Sequence, residues 1–342
     1  MERPDTYYQR NRIIRYVFGA VATLALAVTS GGPLAYILPV LSLPFLAADK
    51  APSIKEGLYL VMVIGISVLA ANLIVIMCLD YPLVLLLVLF LVLYRIFYAH
   101  HRLVSNMVKV WLLIAVIMIP TIAVRSDAIA LGISTTLVTI AFESIICIWV
   151  AYYLFPASPV KQNPIEAPKA PKSVQERHIE ALVRTSVIFP VLLMFYFFEL
   201  TSSLLVLVFV AILSMQAGFG QGFKAGKPLV IGNLMGGILA VLAYNTLTVV
   251  PNYLFFLLLS CLIGLLMAQK LYGGSKLAPL FGMAFSTYLL IIGSTTAMGE
   301  AEAGAKVWTR VLQIMGAVVY VAVVFRYVDR IREFRLTTHA QE

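Results

Sequence analysis

The sequence predicts an all-α, polytopic membrane protein of about twelve transmembrane helices, arranged as two parallel six-helix repeats. Three observations predict it. The 342 residues are 61% hydrophobic and 12% charged, with a mean hydropathy of +0.96, whereas soluble domains are roughly 45–50% apolar and about 25% charged. Twelve apolar runs, bounded by charges, Gly or Pro, fall in two sets of six. The 25 Lys and Arg residues are distributed unevenly over the connections between those runs.

The first set lies near residues 13–29, 34–48, 57–77, 82–98, 110–124 and 134–155, and the second near 182–198, 202–217, 228–247, 253–269, 277–293 and 307–325. Run 1 follows the basic stretch RNRIIRY and resembles a signal peptide; removing it would upset the parity derived below, so it is read as an uncleaved span. Run 2, LAYILPVLSLPFLAA, and run 8, SSLLVLVFVAILSMQA, are short for a hydrocarbon core about 30 Å thick. They either cross or re-enter, and the basic residues decide between the two. If all twelve runs cross and the N-terminus is cytoplasmic, 22 Lys/Arg face the interior and three (Arg125, Lys306 and Arg310) face outward. If runs 2 and 8 re-enter, the division becomes 13 to 12. Only twelve crossings satisfy the positive-inside rule. The net charge of +9 and pI near 9.4 are therefore a topology signal with anionic lipid as counterpart, and nucleic acid is not an expected partner. Asp80, Asp127, Glu199, Glu300 and Glu302 fall on the external side in this arrangement.

Four segments follow: a first six-helix repeat over 1–155, a Pro/Lys-rich cytoplasmic linker over 156–180, a second repeat over 181–326 and a basic cytoplasmic tail over 327–342. An offset of about 169 residues maps Arg15 onto Arg184, Pro82 onto Pro251 and, within one residue, Phe155 onto Phe325. An even number of crossings per half makes the repeats parallel, a plan common in secondary transporters. The short second span with Pro39 and Pro44, and the glycine-rich exit from the eighth with Gly218, Gly220, Gly222 and Gly226, are where that plan places a translocation site; short tilted spans are the competing account.

Enzymatic signatures are missing. Cys78, Cys147 and Cys261 each sit inside an apolar run without a partner at metal-ligand spacing. His100, His101, His178 and His339 form no HExxH pair, and GFGQGFKAGKPL (218–229) has the wrong glycine spacing for a phosphate loop. No cofactor, metal or catalytic residue is expected, and the chain is not expected to be an enzyme.

Polar residues inside the spans are the candidate functional groups. Glu143 lies near the middle of the sixth span; an acidic group there costs about 2.5–3.5 kcal/mol on insertion scales and is a functional candidate by default. Its repeat counterpart is Gln313, one turn from Arg310. Glu143 is expected to carry protons and Arg310 to contact an anion, with a polar clamp between helices as the alternative. In FYFFE, Phe195 and Tyr196 with Glu199 form either an interfacial aromatic belt or a stacking surface for aromatic solutes. Gly232, Gly236 and Gly237 in GNLMGG form a small-residue face for close helix packing, and Asn233 beside them needs a polar partner.

The stretches RYVFGAVATLALAV, LAYILPVLSLPFL and GKPLVIGNLMGGILAVLAY, within duplicated six-span halves, resemble the fusaric acid resistance protein-like (FUSC) superfamily. That resemblance implies an exporter of aromatic carboxylic acids in the bacterial inner (cytoplasmic) membrane, driven by the proton gradient. It also implies a periplasmic membrane-fusion adaptor and an outer-membrane channel as partners. Larger members carry cytosolic domains that the linker and tail replace here. The function expected from the sequence is thus multi-pass secondary transport of small amphipathic organic anions, with both termini cytoplasmic. The alternatives are a non-transporting scaffold or accessory subunit of an envelope complex, or a membrane enzyme acting on lipid-linked substrates.

Overall fold

A bilayer leaves a chain of this composition few options, because every backbone polar group in hydrocarbon must be bonded internally and a helix does this within one segment. The computed structural model describes residues 4–32, 34–99, 106–157, 173–198, 204–216, 222–275 and 277–296, and near the C-terminus 309, 312, 313, 315–324, 326, 327 and 330. Among the described residues every regular element is helical. In chain order these are α1 (Pro4–Ser30), a 3-10 turn (Ala35–Ile37), α2 (Leu38–Ala47), α3 (Ile54–Cys78), α4 (Pro82–Tyr98), α5 (Asn106–Ala123), α6 (Asp127–Leu154), α7 (Val174–Phe197), α8 (Leu204–Gln216), α9 (Gly222–Val249), α10 (Tyr253–Leu271), α11 (Ala278–Thr296) and α12 (Met315–Val324).

Each apolar run of the sequence overlaps one of these helices, and seven of them are long and apolar enough to cross a bilayer. The protein is an all-α polytopic membrane protein. Its outward faces agree: Leu58, Met62, Ile66, Leu69, Leu73 and Ile76 of α3 are each more than half exposed and recur at helical spacing. Water does not tolerate an apolar stripe of this length, whereas lipid requires one.

Two helix starts differ from the hydropathy reading. α7 begins at Val174, eight residues before its apolar run, because Ser173 and Glu176 form a reciprocal capping box: the Glu176 N–H donates to Ser173 Oγ at 3.1 Å and the Ser173 N–H to Glu176 Oε2 at 3.0 Å. That start lies inside the stretch read as linker; residues 158–172 of the linker are outside the described residues. α1 likewise begins at Pro4, nine residues before its run. Hydropathy registers lipid contact, and polar turns beyond the bilayer escape it.

The chain forms two compact units. Unit 1 comprises residues 1–61, 136–170 and 231–312, and unit 2 residues 62–135, 171–230 and 313–342. In unit 1, α1 packs on α2, α10 and α11, α10 on α11, and α11 on α2. In unit 2, α7 packs on α8, α4 and α5, α4 on α5, and α5 on α8. Advancing every helix number by six, and returning to the start of the chain after twelve, turns the first set of pairings into the second. Each unit thus takes its first and second helices from one half of the sequence and its fourth and fifth from the other. The fifth helix of a half is the most enclosed: Ala284–Phe285 and Thr287–Thr295 of α11 are buried, as are Leu113–Ile119 of α5.

Helix directions within unit 1 bear on the short second span. Thr23 of α1 pairs with Ser42 of α2 at 3.3 Å, and a side chain at Gly19 would run into Leu46, so α2 runs antiparallel to α1. α2 has only ten residues. Gly31, with φ +60°, closes α1 in the left-handed conformation glycine adopts freely, and the buried Leu34 holds φ +71° just before the 3-10 turn, an unusual conformation for a branched side chain. From there α2 returns the chain to the end at which α1 starts. At that same end Trp149 Nε1 of α6 donates to the carbonyl of Pro52 at 2.9 Å, fixing the start of α3. The second segment therefore has the parity of a crossing despite its length.

Candidate functional site

Four helix ends meet at one pole of unit 1, around two arginines of α1. Arg12 and Arg15 lie three residues apart and so share a helix face. Arg15, 2% exposed, donates from Nη2 to the Ala48 carbonyl at 3.1 Å and from Nη1 to the Phe155 carbonyl at 3.4 Å. These carbonyls terminate α2 and α6, where the helix dipole is negative and a cation is favoured. The guanidinium also lies over the Tyr152 ring, 4.2 Å from its centroid, and the Tyr152 hydroxyl reaches the carbonyls of Ala48 at 2.6 Å and Phe45 at 2.9 Å.

Arg12 completes the cluster. It pairs with Asp49 at 2.7 Å, donates to the Ala47 carbonyl at 3.3 Å and lies 4.4 Å from the centroid of Tyr272, just beyond α10. Gln9 donates to the Tyr272 carbonyl at 3.1 Å. Burial pushes the Tyr272 phenol up to about 12, against the opposing pull of Arg12 and Arg15, so its hydroxyl stays protonated at neutral pH. The result is a clamp of guanidinium, ring and carbonyl groups tying the ends of α1, α2, α6 and α10 together.

Unit 2 has a related cluster built with different partners. Arg184, which the sequence offset of about 169 residues maps onto Arg15, pairs with Glu180 at 2.6 Å on the same helix, the two side chains being 15% and 17% exposed, and lies 6.0 Å from the Phe97 ring centroid. Arg177 lies over Tyr98 at 5.5 Å, and His178 Nδ1 is hydrogen-bonded to the Tyr94 hydroxyl. The last turns of α4 thus supply aromatic faces to the polar first turns of α7.

The residues singled out from the sequence fall in both units. Glu143 lies in the unit 1 part of α6; its Oε2 is buried and has no hydrogen-bond partner among the described residues, and neither has the neighbouring Ser144 Oγ. Gln313 is half-buried in unit 2. Arg310, Glu199, His100, His101, Gly218 and Gly220 lie outside the described residues. Asn233 Oδ1 accepts from Thr287 Oγ1 at 2.6 Å, and both side chains are buried. Gly232 and Gly236 meet α11: a Cβ on Gly236 would sit 2.3 Å from the Ala284 carbonyl oxygen, and one on Gly232 3.1 Å from that of Leu280. Gly237 is buried beside them. Phe195 is 2% exposed and belongs to the core of unit 2. Tyr196 is half-buried, edge-on to Phe197 at 5.8 Å; the exposed aromatics of that stretch are Phe197 and Phe198.

Sequence reasoning does not single out Arg12, Tyr152 or Tyr272, because backbone carbonyls and ring faces have no motif. The available signal was the register of Arg15 with Arg184. Among the described residues no three His, Cys, Asp or Glu side chains converge as metal ligands.

Over residues 12–153 the chain is similar to a family described as a protein of unknown function, DUF2955. No curated protein and no solved structure matches it. The matched stretch runs from Arg12 to the residue after Tyr152, so it holds Arg12, Arg15, Glu143 and Tyr152 and leaves Tyr272 outside.

Proposed function

We infer that the protein is a secondary transporter of small amphipathic organic anions, aromatic carboxylates foremost, exporting them at the expense of the proton gradient. The observation that carries this reading is the Glu143 carboxylate: one of its oxygens is buried at mid-span without a partner among the described residues. A membrane protein keeps such a group where it takes up and releases protons or meets a substrate. The paired units support it, since matched assemblies built from exchanged parts of two halves suit alternating access. In this reading the Arg12/Arg15 clamp closes one end of unit 1 and opens when its carbonyl bonds are released together.

The resemblance to FUSC exporters extends the proposal to a bacterial inner membrane, with both termini cytoplasmic and a periplasmic adaptor and outer-membrane channel as partners. The chain itself performs no covalent chemistry in this scheme. Proteoliposomes with an imposed proton gradient and a panel of radiolabelled aromatic carboxylates test it. Glu143→Gln is expected to reduce proton-driven flux at least tenfold while folded yield, judged by gel filtration, is unchanged. Full flux by that variant rejects the carrier role. A folded wild-type protein that moves no member of the panel rejects transport of this class and favours the scaffold reading.

A further inference from the structure

Unit 2 contains a groove between the last turns of α4 and the first turns of α5. A cavity of about 310 Å³ there is lined by Leu91, Val92, Ile96 and Leu112 together with Arg95 and Lys109. Among the described residues the other lining side chains are apolar and none is acidic. Arg95 is exposed in the last turn of α4. Lys109 is 8% exposed near the start of α5, and its ammonium donates to the carbonyl of Ala99, the residue that caps α4. Both cations therefore sit at helix ends, the depth at which a bilayer presents its headgroups.

The face of α4 leading away from them is apolar. Val84, Leu87 and Leu91 are 47%, 60% and 50% exposed, and with Arg95 they follow the spacing of a single helix face. At 1.5 Å per residue that face is about 16 Å long, close to half of a hydrocarbon core about 30 Å thick. A small aromatic acid would leave most of it bare. An acyl chain covers it, and a phosphate at its end meets two cations.

We propose that this groove is a binding site for an anionic phospholipid, its phosphate held between Arg95 and Lys109 and one acyl chain lying along Val84, Leu87 and Leu91. The site needs only that α4 and α5 cross a bilayer, and it stands whether or not the protein moves a solute.

Native mass spectrometry of the full-length protein, released from micelles containing equal amounts of phosphatidylglycerol and phosphatidylcholine, tests it. The wild type is expected to retain phosphatidylglycerol selectively, and Arg95→Gln to lose about fivefold in that retention, the effect of one cation at a membrane surface. Arg95→Lys is expected to restore most of it. Lys270→Gln, which removes an exposed cation from the last turn of α10, is expected to change nothing. Equal retention of the two lipids by the wild type overturns the proposal without recourse to any variant. So does an equal loss in Lys270→Gln, which assigns the preference to general surface charge, and so does displacement by excess inorganic phosphate, which assigns the site to the free anion.

Discussion

Arg184→Met is expected to destabilise the protein by about 3–5 kcal/mol, and Arg15→Met by about 2–3 kcal/mol. The two arginines occupy corresponding places in the sequence halves, yet what each leaves behind differs. Removing Arg184 takes from Glu180, a carboxylate 17% exposed, its ion-pair partner at 2.6 Å, and breaking a largely enclosed pair from one side costs about that larger amount. Removing Arg15 leaves only carbonyls. The Ala48 oxygen keeps its bond from Tyr152, so the loss is chiefly the Phe155 bond, the Ala48 bond and the contact with the Tyr152 ring, partly offset because a buried charge no longer needs to be desolvated. Arg15→Lys is expected to recover less than half, since an ammonium does not reproduce a fork that spans two carbonyls while stacking on a ring. Thermal unfolding in detergent, followed by tryptophan fluorescence, orders the variants. A Glu180→Gln background that fails to soften the Arg184→Met effect contradicts the ion-pair account, and an Arg15→Met protein as stable as wild type contradicts the clamp.

That asymmetry marks where a sequence stops being legible. The twelve helices could be read from the apolar runs because lipid contact writes itself into composition, residue by residue. The parity of the short second segment could be read as well: Lys and Arg counts demanded a crossing, and α2 returns the chain to the end from which α1 departs. The helix starts at Pro4 and Val174 could not be read from hydropathy, although Ser173 and Glu176 carry a local capping signature that finds the second. Which helices pack together lay further out of reach. A hydropathy peak specifies that a helix needs neighbours and says nothing of which, so the assembly of each unit from parts of both halves became visible only in three dimensions. The same holds for the arginine clamp: Arg15 and Arg184 stand in register in the sequence, but nothing there tells that one binds helix-terminal carbonyls and the other a carboxylate.

Helix packing in lipid supplies the second large effect. Little hydrophobic force drives two helices together within hydrocarbon, so their contact rests on close backbone approach and interhelical hydrogen bonds. At Gly236 the approach is tight enough that any Cβ would lie 2.3 Å from the Ala284 carbonyl oxygen and 2.7 Å from the Thr287 Cβ. Neither is the free end of a side chain, so α9 and α11 must separate. Separation also stretches the 2.6 Å bond that Thr287 donates to Asn233. Gly236→Ala is therefore expected to cost about 2–3 kcal/mol, the upper part of the range for overpacking a filled core, even though alanine is the better helix former. Gly236→Leu is expected to abolish the folded, monodisperse species altogether. Gly65 of α3, where an added Cβ meets nothing within 4 Å, serves as the internal control. Gly65→Ala keeps or slightly raises the melting temperature, because there only helix propensity changes. Equal melting temperatures for the Gly236→Ala and Gly65→Ala proteins would show that α9 and α11 stand further apart than described, and the small-residue face would lose its role in holding unit 1 together.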